Sequence, residues 1–184
     1  PMVKILGKPV ICHIMKHYSK YGFKEFIIAA GYKQNVIKDY FKNNKLKGIS
    51  IKIVNTGLNT MTGGRLKRLQ KYLENKTFMM TYGDGISDIN LKKLLNFHYK
   101  HKKISTLTSV RPPARFGAIK IKNNNEVTYF KEKSKLDSGW INGGFFVFEP
   151  KIFKFIKNDQ TFLEKEPLQN ISKKKELYAY KHYG

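Results

Sequence analysis

Asp84 is the carboxylate whose surroundings point most clearly to chemistry. It stands between two glycines in Thr81-Tyr82-Gly83-Asp84-Gly85, directly after the apolar run Phe78-Met79-Met80. In α/β sheets, side chains just beyond the carboxyl end of a strand face the ligand crevice, where a carboxylate can hold a metal ion and a phosphate. The alternative is a turn-forming aspartate, since Asp and Gly are common in turns. The preceding apolar strand favours a metal ligand, and we predict that Asp84 is a catalytic metal-binding residue.

The segment 59–68 places small residues and two glycines directly before a predicted helix. Its sequence is Asn59-Thr60-Met61-Thr62-Gly63-Gly64-Arg65-Leu66-Lys67-Arg68. Bare backbone lets a flat base or a phosphate approach, and a helix N-terminus with Arg65 favours negative charge. The alternative is an ordinary helix capped by Thr62, with exposed basic residues. The spacing alone leaves both interpretations open.

Two later segments carry polar groups suited to a sugar phosphate. Glu132 and Lys133 follow an apolar strand pattern, where the carboxylate could accept sugar hydroxyls and the ammonium could hold a phosphate. Asn142-Gly143-Gly144 offers an amide and exposed backbone. The alternatives are a solvated hairpin edge for the first segment and a β-bulge or tight bend for the second.

Other chemistries find less support in the sequence. His13 with His17, and His98 with His101, have helical spacing, but no third metal ligand can be named, which disfavours zinc. Neither a Gly-x-Ser-x-Gly elbow nor a Walker loop occurs. Acyl transfer and P-loop hydrolysis are therefore disfavoured.

Length and composition narrow the class of protein. The 184 residues fit one domain, and no apolar run approaches the roughly 18 residues of a membrane span. A net charge of +23 suggests a polyanionic partner, but only four of the 36 basic residues are arginine and the lysines are spread along the chain. That distribution favours a solvated surface over nucleic-acid binding. Cys12 has no disulfide partner, which fits a reducing, cytoplasmic location.

Helix and strand patterns alternate along the first 110 residues. A helix from Val10, a buried parallel strand at 26–30 and a helix at 36–41 are followed by strands ending near residues 55 and 81, with a helix between them. This alternation predicts an α/β, Rossmann-like fold with a mostly parallel central sheet flanked by helices. Beyond Pro113, short β segments at 118–121, 127–130 and 145–148 predict a small extension over the ligand face, and residues 1–184 read as a single domain.

Several motifs together resemble one enzyme family. They occur in the order Gly7-Lys8-Pro9-Val10, 61–68, 81–85, Arg115-Phe116-Gly117-Ala118 and 141–146. In this order they closely resemble the sugar-phosphate nucleotidyltransferases, and within them the cytidylyl branch, over essentially the whole chain. The resemblance implies magnesium-dependent transfer of CMP from CTP to α-D-glucose 1-phosphate, releasing pyrophosphate and CDP-glucose, by a homo-oligomeric enzyme.

The resemblance also implies roles for individual residues. Asp84 would bind Mg²⁺, and the nucleotide site would be formed by Thr60, Gly63, Gly64, Arg65 and Gly83. Glu132 would bind sugar hydroxyls and Lys133 the sugar phosphate, with Lys133 counted as catalytic. Asn142, Gly143 and Gly117 would contact the hexose.

The sequence departs from the family pattern at both ends. Family members carry a glycine-rich loop with a catalytic arginine ahead of the match to Pro1, and a second magnesium-binding aspartate after the match to 180–184. We therefore expect residues 1–184 alone to be inactive. Three alternatives stay open: transfer from UTP, dTTP or GTP, a basic nucleic-acid-binding module, and a regulatory domain that binds nucleotide sugars without turnover.

Overall fold

The structure, a computed structural model, describes residues 1–112, 118–131 and 139–184. Its strands are β1 (Lys4–Ile5), β2 (Lys8–Pro9), β3 (Glu25–Ala30), β4 (Ser50–Asn55), β5 (Phe78–Thr81), β6 (Ser105–Val110), β7 (Ala118–Ile121), β8 (Val127–Lys131), β9 (Ile141–Phe148) and β10 (Leu177–Lys181). Its α-helices are α1 (Val10–Lys20), α2 (Gln34–Asn43), α3 (Thr62–Arg68), α4 (Gln70–Leu73), α5 (Leu91–His101) and α6 (Glu166–Lys173), and a 3-10 helix spans Pro150–Phe155.

The central sheet has four strands in the order β10-β6-β9-β5. β10 runs parallel to β6, whereas β9 runs antiparallel to both of its neighbours, β6 and β5. Strands β5, β6 and β10 therefore point in one direction, and β9 is the reversed strand between them. In the register, Phe146 of β9 lies between Met80 of β5 and Leu107 of β6.

Strand β9 forms the centre of the core because both of its faces are buried. Phe146 and Phe148 pack into a cluster with the 3-10 helix and α6, while Phe145 and Val147 pack into a second cluster with α1 and α5. The predicted placement of 145–148 in an extension over the ligand face was wrong. A continuous apolar run is typical of a strand covered on both faces, and here that pattern marks an interior strand of the main sheet.

Strands β3 and β4 form a separate parallel pair. The parallel pairing agrees with the prediction, but Phe26, Ile27 and Ile28 are only half-buried and Ala29 is exposed. The reason is that, within the described residues, β3 pairs only with β4 and β5 only with β9. A mostly apolar cleft of about 790 Å³ lies between these two strands.

The remaining elements agree with the predicted alternation in most places. The helices predicted from Val10, at 36–41 and between residues 55 and 81 appear as α1, as α2 and as the pair α3 and α4. The hairpin β7–β8 is the small β extension of the second half. Thr62 does not cap its helix: Met61 is the capping residue, without a side-chain hydrogen bond, and Thr62 is the first helical residue. Among the described residues, no helix has the length and apolar character needed to cross a bilayer.

Candidate active site

One edge of the central sheet gathers several of the predicted site residues. Because β9 is antiparallel to β5 and β6, the start of β9 lies at the same edge as the ends of β5, β6 and β10. Asp84 follows β5 at this edge, and Asn142 is the second residue of β9. The predicted metal ligand and the predicted sugar ligand are therefore brought to the same side of the sheet.

Asp84 is exposed in the turn after β5. Within residues 1–112, 118–131 and 139–184 no hydrogen bond or ion pair holds its carboxylate. Gly83 lies against the start of the chain, since a Cβ atom built on it would be 3.3 Å from Cβ of Pro1. The carboxylate of Asp84 is thus exposed and has no partner among the described residues.

The carboxylate of Asp84 could hold Mg²⁺ only together with oxygen ligands from a bound substrate. The described residues hold no group of three or more His, Cys, Asp or Glu side chains that could bind a metal. Mg²⁺ is usually held by one or two carboxylates, with waters and substrate phosphates completing its shell. A single free carboxylate such as Asp84 suits that arrangement when a triphosphate is bound nearby.

Arg65 lies where the strands β3 and β4 end. Its Nη1 donates to Oγ1 of Thr56 at 2.8 Å, and its Nη2 donates to the carbonyl of Leu58 at 3.3 Å. Thr56 in turn donates to the carbonyl of Ala30 at 2.9 Å, which joins the ends of the two strands. The guanidinium is therefore held in one position by neutral acceptors, and no carboxylate among the described residues pairs with it.

Thr60 is buried beside Gly57, and its Oγ1 would lie 2.6 Å from a Cβ atom built there. Gly57 has a φ of +89°, which favours glycine, and Arg68 approaches the same residue. Arg68 makes two hydrogen bonds, of 2.9 and 2.6 Å, to the carboxylate of Asp159. The structure thus brings Thr60 and two basic residues of α3, Arg65 and Arg68, together around the loop after β4.

Gly63 and Gly64 pack closely against the loop that precedes α6. A Cβ atom on Gly63 would lie 2.7 Å from the carbonyl oxygen of Thr161, and one on Gly64 would lie 2.7 Å from the carbonyl carbon of Asp159. The amide of Gly64 also donates to the carbonyl of Thr161 at 3.2 Å. The loop fills the space that a side chain on either glycine would occupy. The two glycines therefore let α3 pack closely against this loop.

A carboxylate that the sequence analysis did not single out connects two parts of the site. Glu164 accepts a hydrogen bond of 2.6 Å from the hydroxyl of Thr62 and another of 2.6 Å from the hydroxyl of Tyr82. Burial and the hydrogen bond to Glu164 raise the pKa of Tyr82 well above its usual range, so that its hydroxyl remains a donor. Glu164 lies 82 residues from Tyr82 along the chain, and only the fold brings them together.

Asn142 and the glycines after it form an irregularity in β9. The register between β6 and β9 shifts here, and Gly144 has a φ of +78°. The Oδ1 of Asn142 accepts from the amide of Gly144 at 2.9 Å, and its Nδ2 reaches the Tyr82 hydroxyl at 3.5 Å. A side chain on Gly144 would collide with the Tyr82 ring, and one on Gly143 would press on Val110. The predicted alternative of a β-bulge or tight bend is therefore confirmed, and the amide of Asn142 lies beside Tyr82 at the site edge.

A basic and aromatic cluster at the same edge was also missed from the sequence. The guanidinium of Arg111, which follows β6, lies 4.8 Å from the centre of the Trp140 ring, and Lys181 lies 5.4 Å from it. His182, next along the chain, is 2.8 Å from a carboxylate oxygen of Asp88. The position of Arg111 directly after a strand was a usable signal, because it is the same signal that identified Asp84.

Three predicted site residues lie outside the described residues. They are Gly117, Glu132 and Lys133. Their assignment to the sugar phosphate stays a prediction from the sequence.

The fold and the edge site define a nucleotidyltransferase-type α/β protein. A crystal structure of HddC from Yersinia pseudotuberculosis complexed with GMP-PN has a similar fold, with a TM-score of 0.76 and 24% sequence identity, covering 99% of this chain and 80% of that chain. Residues 1–182 match the family model for nucleotidyl transferases. The chain belongs to this family, as the sequence motifs predicted, and the α/β fold class is confirmed.

Two relatives indicate where in the family the chain lies. It is 43% identical over 206 residues to glucose-1-phosphate cytidylyltransferase of Salmonella typhimurium, covering 100% of this chain and 80% of the relative. It is 35% identical over 175 residues to D-glycero-α-D-manno-heptose 1-phosphate guanylyltransferase of Campylobacter jejuni, covering 95% of this chain and 77% of the relative. The resemblance to sugar-phosphate nucleotidyltransferases is thereby confirmed.

Proposed function

We propose that the protein transfers CMP from CTP to α-D-glucose 1-phosphate in the presence of Mg²⁺, giving CDP-glucose and pyrophosphate. The structural observation that carries the proposal is that no described residue pairs with the carboxylate of Asp84, which lies at the same sheet edge as the amide of Asn142. The cationic segment of α3 is connected to this edge through Thr62, Glu164 and Tyr82. The 43% identity to a cytidylyltransferase over the full chain supports the choice of CTP and glucose 1-phosphate.

The reaction needs positioning and charge neutralisation more than acid-base catalysis. A phosphate oxygen of glucose 1-phosphate attacks the α-phosphorus of CTP, a new P–O bond forms, and the bond to the β-phosphate breaks so that pyrophosphate leaves. Bound Mg²⁺ would neutralise phosphate charge as these bonds exchange. Arg65 would bind the triphosphate, Asp84 would hold the cation, and Asn142 would orient the hexose through hydrogen bonds.

Glu132, Lys133 and Gly117 complete the proposed sugar-phosphate site. The family resemblance assigns Glu132 to the sugar hydroxyls, Lys133 to the phosphate and Gly117 to the hexose. Substituting Lys133 by Ala should raise KM for glucose 1-phosphate much more than KM for CTP, because a lost ammonium removes a contact to one substrate only.

A guanylyl transfer to another sugar 1-phosphate is the second candidate function. It is favoured by the 35% identity to the heptose 1-phosphate guanylyltransferase of Campylobacter jejuni. In that case the chemistry at phosphorus is the same and only the base and the sugar differ.

Initial rates of pyrophosphate release by the full-length gene product separate these functions. Each of CTP, UTP, dTTP and GTP is paired with glucose 1-phosphate and with a heptose 1-phosphate, at equal concentrations with Mg²⁺. CTP with glucose 1-phosphate should have the highest kcat/KM. A higher value for UTP or dTTP, or for GTP with the heptose, would overturn the cytidylyl assignment.

Two further properties are proposed with this function. The buried free thiol of Cys12 supports a reducing, cytoplasmic location. A homo-oligomeric state rests on the family resemblance, and sedimentation of the full-length gene product tests it: a monomer at micromolar concentration would contradict it.

A further inference from the structure

Glu164 is unusual among the acidic residues because hydroxyl groups, not cations, hold it. The chain has 36 basic and 13 acidic residues, so most carboxylates are expected to have a cation nearby, although Asp84 also makes no ion pair within the described residues. Neighbouring carboxylates follow that expectation, since Glu166 pairs with Lys157 and Asp159 with Arg68. Within the described part of the chain, Glu164 makes no ion pair and instead accepts two hydroxyl hydrogen bonds of 2.6 Å.

Each of these hydroxyls belongs to a different half of the proposed site. Thr62 is the first residue of α3, three residues before Arg65, so both side chains move with one helical turn. Tyr82 lies two residues before Asp84, and its ring is fixed against Phe146 and Gly144. Its hydroxyl also meets the amide of Asn142 at 3.5 Å.

Both hydrogen bonds to Glu164 are short, although its side chain is exposed to solvent. Hydroxyl-to-carboxylate hydrogen bonds of 2.5–2.7 Å are typical of charge-assisted pairs, which are about twice as strong as neutral ones. The hydroxyl of Thr62 is further oriented because it accepts from the amide of Leu163 at 2.9 Å. Both bonds of Glu164 therefore have defined directions, as positioning requires.

We propose that Glu164 is a positioning residue that sets the distance between the nucleotide-binding segment on α3 and the edge carrying Asp84 and Asn142. This inference rests on the proposed function. The carboxylate touches no reacting atom. It keeps Arg65, which binds the triphosphate, at a fixed distance from Asp84, which holds the cation. Small misplacements of such groups lower the reaction rate strongly.

Steady-state kinetics of variants in the full-length gene product test the role in turnover. Replacing Glu164 by Ala should lower kcat about tenfold or more, with smaller changes in KM for either substrate, because both substrates still bind but are poorly aligned. Glu164→Gln should recover most of kcat, since the amide can accept from one hydroxyl and donate to the other. Adding Tyr82→Phe to Glu164→Ala should cost little more, because both changes break the same connection.

Glu166→Gln is the matched control, since Glu166 lies two residues further on and pairs with Lys157 at the surface. It should keep wild-type kinetics. An Ala variant at Glu164 with wild-type kcat, a Gln variant as impaired as Ala, or fully additive losses with Tyr82→Phe would each overturn the proposal.

Hydrogen exchange separates a failure of this inference from a failure of the proposed function. Glu164→Ala should speed amide exchange both in segment 60–66 and in segment 82–85, whereas Glu166→Gln should change neither. If the wild-type protein uses none of the nucleotide and sugar pairs, the proposed function fails. The exchange result still shows whether Glu164 connects segment 60–66 to segment 82–85. Faster exchange in only one segment, or in neither, would overturn the positioning role of Glu164.

Discussion

The guanidinium of Arg65 occupies the space directly beside Gly31. A Cβ atom built on Gly31 would lie 2.6 Å from Nη2 of Arg65 and 2.7 Å from the carbonyl oxygen of Gly57. No real Cβ atom approaches this closely, so the end of β3 must lack a side chain for Arg65 to reach Thr56.

Replacing Gly31 by Ala should therefore move Arg65 and weaken triphosphate binding. We expect KM for the nucleoside triphosphate to rise about tenfold, because one charge-assisted contact is worth roughly 1.4 kcal/mol or more. KM for the sugar phosphate should stay near the wild-type value. Gly139→Ala is the matched control, since no atom of the described residues lies within 4 Å of the Cβ position of Gly139. Equal effects on the two KM values would contradict the placement of Arg65 at the triphosphate.

Asp84→Asn should lower turnover strongly without unfolding the protein. Because the carboxylate is exposed and unpaired within the described residues, the melting temperature should stay within about 2 °C. The loss of a magnesium ligand should reduce kcat by roughly 100-fold, since metal ions supply several kcal/mol to the transition state. Asp39→Asn, at an exposed helix position, serves as the control. An active Asp84→Asn variant would mean that Asp84 only shapes the turn.

Tyr18 should make the protein sensitive to high pH. Its hydroxyl is buried, with no hydrogen-bond partner among the described residues, and burial raises the pKa of Tyr18 far above its normal value of 10.0. The unfolded chain loses this proton first, so the free energy of unfolding should fall as pH rises above about 10, by roughly 1.4 kcal/mol per pH unit for this group. Below that pH its contribution is fully present.

The Tyr18→Phe variant removes the unsatisfied hydroxyl and the titration together. We expect the free energy of unfolding at pH 7 to rise by about 1 kcal/mol, because an unpaired buried polar group is costly. Urea unfolding at pH 7 and pH 11 measures both effects. Tyr99→Phe, at a half-exposed ring, is the control. A Phe variant less stable than the wild type, or equally sensitive to high pH, would show that the Tyr18 hydroxyl has a partner.

The basic charge should not produce specific nucleic-acid binding. The net charge is +23, but several lysines face carboxylates or aromatic rings in the structure, as Lys103 faces Glu176. Fluorescence anisotropy with duplex DNA should show weak binding that disappears by about 0.2 M salt, as expected for non-specific phosphate contacts. Submicromolar binding at that salt concentration would support the nucleic-acid alternative instead.

Local patterns in the sequence were sufficient to predict most helices and the strand before Asp84. The strand β9 was misplaced because its apolar run reads as a short β segment, and only the pairing with β5 and β6 shows that it is an interior strand. Arg111 could have been found, since it follows a strand as Asp84 does.

Glu164 could not have been found from the sequence. Its partners lie 102 and 82 residues away, and no spacing rule relates such positions. The close packing of Gly63 and Gly64 could not have been predicted either, because it depends on a loop about 100 residues further along the chain. Motif resemblance identified the family, while the connections between motifs required the fold.

The transfer of CMP is tested by identifying what the full-length gene product makes from CTP and glucose 1-phosphate with Mg²⁺. Mass spectrometry and ³¹P NMR should show CDP-glucose and pyrophosphate appearing in equal amounts, with neither formed when the sugar phosphate is omitted. Release of CMP without a sugar nucleotide would contradict the proposed function. So would the absence of CDP-glucose under conditions in which another nucleoside triphosphate is turned over.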